Sequence, residues 1–399
     1  MLDRINNFKE NFCINNLFSD ELEFHNSFIN EEIRKSSILI IGAAGTIGQN
    51  LAIEIYKRNP LKLHLVDINE NESVELVRYL RSSQNEILGE FKSIIMNFFD
   101  ENFKKYYLNE GPFDYIFNLS AIKHVRSEKD QYTLLNMINT NIISNYDFLK
   151  NCLTNQEKKF FSVSTDKATM PLNMMGASKK IMEKVIFSFN NRVNVSSARF
   201  ANIAFSNGSL LDSFIKRITY KQPISAPIDI KRYFMSKTDS ANLCLLSGFL
   251  GDHLDIFYPK FYNKLTLRSF DKIAIDLLNY IGYDTYFCNS EEEARSKTSE
   301  LIPKNIWPCY FFKSKTSGEK DIEEFVSKDD IIDCDRFKNI GVIKEIKSLD
   351  ISKSENFFSQ LRIIANSSNY QKSDFIKLFS TILPNYKHDG IELNLDKFM

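Results

Sequence analysis

From Ser37 onward, short apolar runs alternate with amphipathic stretches, and this alternation limits the possible folds more than any other feature of the chain. The apolar runs are continuous, as in strands that are covered on both faces. The stretches between them have helical periodicity. Alternating strands and helices predict an α/β fold with a doubly wound parallel sheet. The strand-like runs are SILIIG, LKLHLVD, KSIIMNFFD, FDYIFNLSA and KFFSVST.

The pattern divides the chain into four segments. Residues 1–35 are polar and predict an N-terminal helical extension. Residues 36–205 carry the alternating pattern, whereas 206–340 have longer loops and are expected to form a smaller α/β region that binds substrate. Within that region, the charged stretch 289–305 is expected to be a surface insertion. Residues 341–399 predict a C-terminal helical extension.

Composition excludes several classes of protein. The 399-residue chain has 51 Lys and Arg and 51 Asp and Glu, so its formal charges balance. No net positive charge therefore favours nucleic acid or an anionic membrane as a partner. The six cysteines are scattered without a CxxC pair, which favours reduced thiols over disulfides or a metal site. No apolar run reaches the roughly 20 residues of a membrane span, and the N-terminal stretch lacks a signal-peptide core. We therefore expect a soluble cytoplasmic protein with no metal ion.

The stretch GAAGTIG directly follows the first predicted strand and opens the next helix. It supplies Gly42, Gly45 and Gly48, with Thr46 and Ile47 between the last two. Glycines here permit a tight turn and let backbone N–H groups approach a pyrophosphate at a helix N-terminus. The strand–turn–helix context therefore predicts a dinucleotide-binding Rossmann-type fold.

Two carboxylates follow the next predicted strands. Asp67 ends the second strand, where it can accept hydrogen bonds from both ribose hydroxyls of NAD. A 2′-phosphate at this point would place like charges together, so NAD is favoured over NADP. Asp100 follows the third strand, and we expect it to contact the adenine ring.

The stretch STDKATMPLNMMGASKK, residues 164–180, combines titratable side chains at the end of the fifth predicted strand. Thr165, Asp166 and Lys167 lie at the carboxyl edge of the sheet, where the sites of α/β proteins form. Lys179 lies on the following helix, four residues after Met175 and on the same helix face. These residues therefore predict an acid–base site at this edge.

Four stretches in collinear order, from about residue 36 to 330, resemble the UDP-N-acetylglucosamine 4,6-dehydratases, which are extended short-chain dehydrogenases of polysaccharide biosynthesis. NLSAIKHV is similar to AAxKHV, the 164–180 stretch to STDKAxxPxNxMGATKR, and SGEKDIEEF to PGEKLYEEL. ARFANIAFSNGSLLDSF with IKRYFM is similar to RFGNVxxSxGSVxPxF with MTRYFM. Two features depart from the family pattern: Ala201 stands in place of Gly, and Thr316-Ser317 in place of Arg-Pro.

The resemblance implies loss of water from C5 and C6 of a nucleotide-linked N-acetylglucosamine, with tightly bound NAD. Asp166 would be the acid at C6 and Lys167 the base at C5, which requires a raised pKa for the carboxyl and a lowered pKa for the amine. Lys179 would hold the nicotinamide ribose. Met175 occupies a position where some members have Tyr and others Met. Deprotonation of O4 would then pass through Thr165, a bound water or Asp166.

The resemblance also implies binding residues and an assembly. Ser120, Ala121 and Lys123, after the fourth strand, would contact the cofactor. Arg232 would hold the substrate diphosphate, because a guanidinium can bind it through two hydrogen bonds. The other residues that would contact substrate are Lys123, His124, Asn202, Ser209 and Glu319. Relatives of this kind tend to form homo-oligomers, to which the terminal helices could contribute.

Several alternatives remain open at this point. A dehydratase that inverts C5 and a 4-epimerase would use the same scaffold, although an epimerase has no elimination that would need the Thr-Asp-Lys triplet. The absent Tyr leaves room for a non-catalytic NAD-binding protein. The motifs decide neither between UDP and GDP nor among the products, which include surface glycans, legionaminic-type nonulosonic acids and diamino sugars.

Overall fold

The computed structural model describes residues 1–13, 16–83, 87–260, 267–314, 320, 322–344 and 351–388. Its helices are α1 (Leu2–Asn11), α2 (Ser19–Arg34), α3 (Thr46–Tyr56), α4 (Glu70–Ser83), α5 (Glu101–Glu110), α6 (Gln131–Ile138), α7 (Ser144–Asn151), α8 (Met174–Ser188), α9 (Leu210–Thr219), α10 (Lys237–Leu250), α11 (Phe270–Ile281), α12 (Glu291–Ser296), α13 (Thr298–Leu301), α14 (Ile351–Asn366) and α15 (Lys372–Ile382). Its strands are β1 (Ser37–Ile41), β2 (Lys62–Asp67), β3 (Glu90–Ile95), β4 (Tyr115–Asn118), β5 (Lys159–Thr165), β6 (Asn194–Phe200), β7 (Asn202–Ile203), β8 (Ile224–Pro227), β9 (Lys231–Met235), β10 (Asp255–Pro259), β11 (Leu267–Ser269), β12 (Asp284–Cys288), β13 (Ile306–Phe312), β14 (Ile331–Asp333) and β15 (Ile340–Lys344).

Nine strands of the described residues form one large sheet in the order β14-β15-β10-β6-β5-β4-β1-β2-β3. From β3 to β10 all neighbouring strands are parallel, whereas β15 runs antiparallel to β10 and β14. The central strands are buried along nearly their whole length, which explains their continuous apolar sequences. The predicted doubly wound fold is confirmed. Its strand order reverses between β1 and β4, which opens a crevice at the carboxyl ends of these strands.

Two smaller sheets, β11-β9-β7 and β12-β13-β8, are formed by residues after 200. They surround a separate apolar cluster that includes Phe214, Leu277 and Trp307. Helices α12 and α13 fall within the charged stretch 289–305 and connect β12 to its parallel neighbour β13. Strands β10 and β15, which come after residue 205, join the large sheet. The large sheet therefore draws on more than one of the segments distinguished in the sequence.

The N-terminal helices contact both parts of the protein. Helix α2 packs on α10 of the large sheet's layer, and α1 packs on α11 of the smaller region. The Phe12 ring lies 5.2 Å from that of Phe205 and 5.5 Å from that of Phe234, measured between centroids. Phe205 has a φ of 52°, which is strained for an aromatic residue. Packing by the N-terminal segment therefore supports a strained turn just after β7.

The C-terminal helices cover one face of α8. Helices α14 and α15 contact each other and α8. They share an apolar cluster with residues of α6, α7 and α8, including Met174, Met175 and Phe375. Tyr146 of α7 stacks on Phe358 of α14 with 3.6 Å between ring centroids. The helix that carries Lys179 is thus buried by the chain's own C-terminal segment.

The longest described helices, α2 and α14, have 16 residues each. Across the part of the chain that the structure describes, no helix combines the length and the apolar character that a membrane crossing requires.

Candidate active site

The turn between β1 and α3 depends on glycine at two positions. Gly42 has a φ of 80°, and a Cβ there would lie 2.7 Å from the backbone nitrogen of Ser120. A Cβ on Gly48 would lie 2.1 Å from the Gly42 oxygen, so the helix can approach the turn only with glycine at this position. Gly45 precedes α3 and provides no side-chain cap. The first N–H groups of α3 therefore face no capping side chain, as an anion site at a helix N-terminus requires.

Asp67 lies beside this turn, at the end of β2. Its two carboxylate oxygens accept hydrogen bonds from the N–H groups of Ala44 and Asn69, both at 2.9 Å. These bonds fix the carboxylate next to the glycine turn, and its contact with a ribose stays a prediction. Asp100 caps α5, because its side chain accepts from the Asn102 N–H at 2.9 Å. The adenine contact of Asp100 stays a prediction.

The loop after β7 reaches across the crevice to the glycine turn. The N–H of Asn207 donates to Thr46 Oγ1 at 3.1 Å. Lys123 Nζ, from the loop after β4, donates to the Asn207 carbonyl at 3.3 Å and to Ser206 Oγ at 3.5 Å. Burial lowers the pKa of Lys123. Three loops at the carboxyl edge of the large sheet are therefore joined around one crevice.

The remaining predicted binding residues of this edge have structural partners of their own. Ser209 caps α9 by accepting from the Asp212 N–H at 3.2 Å. His124 lies against Gly208, whose Cβ, if present, would be 3.4 Å from His124 Nε2. Burial lowers the pKa of His124, which favours the neutral imidazole. Ile47 packs against the main core, and Ala121 is half-buried. Contacts of these residues with ligands stay predictions.

The Thr-Asp-Lys triplet forms a hydrogen-bonded cluster at the end of β5. Strands β5 and β6 pair in register, so the residues that follow them meet at one edge. Lys167 Nζ donates to Asp166 Oδ1 at 3.0 Å and lies 3.5 Å from Asn202 Oδ1. Thr165 Oγ1 donates to the same Asp166 oxygen at 2.8 Å. The structure therefore brings together the predicted acid, the predicted base and a predicted substrate contact.

A second carboxylate, Glu323, joins this cluster from the segment before β14. Its Oε1 lies 3.8 Å from Lys167 Nζ and 3.9 Å from Arg232 Nη2. Arg232 is buried, and its Nη1 donates to the carbonyls of Lys231 and Lys320 at 2.8 and 2.9 Å. Arg232 therefore holds the chain next to Glu323. Its predicted contact with a diphosphate stays a prediction.

Glu323 was not predicted from the sequence. The motif SGEKDIEEF contains three glutamates, and the resemblance pointed to Glu319, which lies outside the described residues. Glu323 is buried and Glu324 is exposed. The only available signal was the apolar Phe325 beside an acidic pair, which does not indicate which carboxylate turns inward.

Lys179 has very different neighbours from Lys167. Its Nζ donates to the Val163 carbonyl at 3.0 Å and lies 3.8 Å from the Met182 sulfur. Met175 is buried one turn earlier on α8, within the apolar cluster shared with the C-terminal helices. Lys179 thus lies at the same end of the sheet as the cluster around Lys167, but the carbonyl and the sulfur that its amine contacts carry no charge.

The two lysines have opposite pKa shifts. Burial lowers the pKa of Lys179 to about 8. Burial acts in the same direction on Lys167, but the charges of Asp166 and Glu323 outweigh it, and the pKa is raised. The expectation of a lowered pKa for Lys167 is therefore wrong for the protein without substrate. Burial raises the pKa of Glu323, and the charge of Asp166 adds to this effect. A carboxyl group with a raised pKa therefore lies beside Lys167.

A fully buried ion pair connects α8 to the segment of Glu323. Arg199 donates to both carboxylate oxygens of Glu183 at 2.9 Å, and its Nη1 donates to the Phe325 carbonyl at 2.6 Å. Burial raises the pKa of Glu183, but the Arg199 charge outweighs this and holds it at about 2. Arg199 therefore fixes the strand end, the helix of Lys179 and the segment of Glu323 relative to one another.

A glycine turn at the switch point of a doubly wound parallel sheet is the arrangement of Rossmann-type proteins. Residues 38–345 match the sequence model of a protein family that is described as "polysaccharide biosynthesis protein". The chain belongs to this family.

Three known proteins illustrate the similarity. The capsular polysaccharide biosynthesis protein CapD of Staphylococcus aureus is 28% identical over 331 residues, which are 82% of this chain and 51% of CapD. Pen of Bacillus thuringiensis has a similar structure, with a TM-score of 0.63 and 19% identity over 88% of this chain and 98% of Pen. DesIV of Streptomyces venezuelae, a dTDP-glucose 4,6-dehydratase crystallised with NAD, has a TM-score of 0.55 and 14% identity over 73% and 88% of the two chains. The two structural similarities concern the fold.

Proposed function

We propose that the protein is a nucleotide-sugar 4,6-dehydratase that converts UDP- or GDP-N-acetylglucosamine to the 4-keto-6-deoxy sugar for the synthesis of a surface glycan or a related sugar. The observation that carries this proposal is the Asp166–Lys167 pair, 3.0 Å apart at the edge of the sheet that also bears the glycine turn. Elimination of water needs an acid and a base side by side, and the pair supplies both. Membership of the polysaccharide biosynthesis family supports the substrate class.

The residues around the glycine turn fit NAD. The uncapped start of α3 suits a pyrophosphate, and Asp67 beside it suits unphosphorylated ribose hydroxyls. The similarity to DesIV, whose structure contains NAD, agrees with this assignment. When bound, NAD would take two electrons from the sugar at C4 and return them at C6. Lys179, whose pKa burial lowers to about 8, would hold the nicotinamide ribose.

The proton steps require one internal transfer between Lys167 and Asp166. In the protein without substrate this pair is ionic, because the pKa of Lys167 is raised. Transfer of the shared proton from Nζ to the carboxylate makes a neutral amine and a protonated acid at once. The amine then takes the proton from C5, which a 4-keto group makes acidic, and the acid gives its proton to the departing C6 oxygen. Water leaves, and the pair returns to its ionic state. Formation of the 6-deoxy sugar then requires one proton at C5, which Lys167 would supply, and it is balanced by the proton that O4 loses through Thr165, a bound water or Asp166 when C4 is oxidised.

The decisive experiment is mass spectrometry of UDP- and GDP-N-acetylglucosamine after incubation with the purified protein in H₂O and in D₂O. Loss of one water from one of them, with one deuterium incorporated at C5, would support the dehydratase and identify the nucleotide. NMR of the product would then distinguish retention from inversion at C5. An Asp166→Asn variant, which keeps the shape but not the acid, serves as the control and should form no product.

The remaining outcomes identify the alternatives. A product of unchanged mass with an altered C4 configuration would replace the proposal with a 4-epimerase. Return of both sugars unchanged, from protein that retains NAD, would contradict dehydratase activity on these substrates and favour a non-catalytic NAD-binding role.

A further inference from the structure

We infer that Glu323 is a further positioning residue, a second carboxylate partner that holds the Lys167 amine in the cluster at the end of β5. This inference deepens the proposed function, on which its catalytic consequence rests. It is carried by the distances from Glu323 Oε1 to Lys167 Nζ (3.8 Å) and to Arg232 Nη2 (3.9 Å). Glu323 is only 6% exposed, so these two cations are held close to it inside the protein.

The chain anchors Glu323 from both sides. Before it, Arg232 donates to the Lys320 carbonyl at 2.9 Å. After it, the buried Arg199 donates to the Phe325 carbonyl at 2.6 Å. Two arginine side chains from two different strands therefore fix this segment, and the position of the carboxylate follows from theirs. A solvated surface glutamate would have no such support.

The charges that face the cluster define what Glu323 does. Lys167 is faced by the carboxylates of Asp166 and Glu323 and by the guanidinium of Arg232. Glu323 is faced by Lys167, Asp166, Arg232 and Lys320. An ionised Glu323 stabilises the ammonium form of Lys167 and so opposes transfer of its proton to Asp166, whereas a protonated Glu323 favours that transfer. Glu323 therefore controls how readily the lysine becomes a base.

The test begins without substrate, so that it does not depend on the proposed reaction. Trace acetylation with acetic anhydride, followed by peptide mass spectrometry, measures the unprotonated fraction of Lys167 at a given pH. Glu323→Gln removes one negative charge and should raise the labelling rate of Lys167 at pH 8 about tenfold. Glu324→Gln, an exposed neighbour of the same type, should leave the rate within about twofold of the parent.

Two further variants keep the inference falsifiable if Glu323→Gln folds poorly. Glu323→Asp retains the charge on a shorter side chain and should label almost as slowly as the parent. Asp166→Asn removes the other carboxylate and should raise labelling, which proves that the assay responds to a neighbouring charge. An unchanged rate in Glu323→Gln, or a tenfold rise in Glu323→Asp, would overturn the inference.

Once product formation is established, the pH dependence of the reaction rate gives a second test. In a plot of the rate of water loss against pH, one limb follows the titration of Lys167. Glu323→Gln should shift this limb to lower pH, and Glu324→Gln should give the same profile as the parent. A loss of activity with the limb unmoved would show a merely structural role and overturn the inference. If labelling responds but neither nucleotide sugar loses water, the positioning role stands and the proposed function alone fails.

Discussion

The loop after β5 and the start of α8 each place one lysine at the same end of the large sheet, and the pKa values of the two lysines are shifted in opposite directions. Lys167 has two carboxylates within 4 Å of its amine, and its pKa is raised. The amine of Lys179 instead contacts the Val163 carbonyl and the Met182 sulfur, and burial lowers its pKa to about 8. Burial lowers the pKa of both amines, and only beside Lys167 do neighbouring carboxylates outweigh it.

This comparison changes how the two lysines are assigned to chemistry. A lysine with a lowered pKa is the usual candidate for a base, and by that criterion Lys179 would be chosen. Lys179, however, donates its hydrogen bond to the backbone of β5, whereas Lys167 contacts an acid with which it can exchange a proton. The partner of a lysine, and not its pKa alone, indicates which proton transfers are possible.

The largest expected effect is on activity, from substitution of Lys167. Lys167→Arg keeps the positive charge between Asp166 and Glu323, but a guanidinium does not lose its proton in proteins. We expect water loss to fall about 10³-fold, as for removal of one acid–base group. Steady-state kinetics with the responsive nucleotide sugar measures this, and unfolding in urea should show nearly parental stability.

The exposed Lys328 supplies the control for that prediction, since Lys328→Arg should behave as the parent. Retention of more than a tenth of the activity in Lys167→Arg would show that Lys167 is not the base at C5. The comparison between the two lysines would then reverse, and Lys179 would become the candidate.

The next effect is on stability and concerns Lys179. Its pKa is about 8 when folded and roughly 10.4 when unfolded, so between these values the unfolded chain binds more protons and stability rises with pH. Lys179→Met removes this contribution. From pH 7.5 to 9.5, the free energy of unfolding of the parent should gain roughly 2 kcal/mol relative to the variant. Urea unfolding at the two pH values measures the difference.

Lys180→Met, on the next residue of the same helix, is the matched control and should follow the parent across this range. If Lys179→Met shows the same pH dependence as the parent, then Lys179 is charged when buried, and the contrast with Lys167 disappears.

The sequence predicted the fold well because hydrophobic periodicity is a local property. The alternating runs identified β1 to β5 and their parallel direction, since strands buried inside a parallel sheet need continuous apolar sequence, although β3 at the sheet edge is largely exposed. The stretch 289–305, which contains α12 and α13, was harder to place. Its charges indicated a surface position but could not show that it connects β12 to β13, which depends on a pairing distant in sequence.

The site was predictable only where it follows strand ends. Asp166 and Lys167 could be placed at the sheet edge because they follow a predicted strand, whereas Asn202 was expected near the substrate from the resemblance alone. The pairing of β5 with β6 brings the three together. Glu323 could not be predicted, because its position depends on Arg199 and Arg232, more than 90 residues earlier in the chain. The pKa of Lys167 was predicted in the wrong direction for the same reason, since the second carboxylate was missing from the sequence argument.

The smallest expected effect is that of Met175, which tests whether a third position in this region takes part in the chemistry. Met175 is 2% exposed and packs within the cluster that contains the C-terminal helices, so Met175→Leu nearly conserves its volume and should cost less than about 1.5 kcal/mol of stability. Activity should change less than about threefold, measured beside Met174→Leu as the control. Met175→Tyr, which adds volume and a phenol to the same cluster, should instead cost about 1–3 kcal/mol. A hundredfold loss in Met175→Leu with parental stability would mean that the thioether contacts the substrate or the cofactor, and Met175 would then be a binding residue and not only part of the apolar cluster.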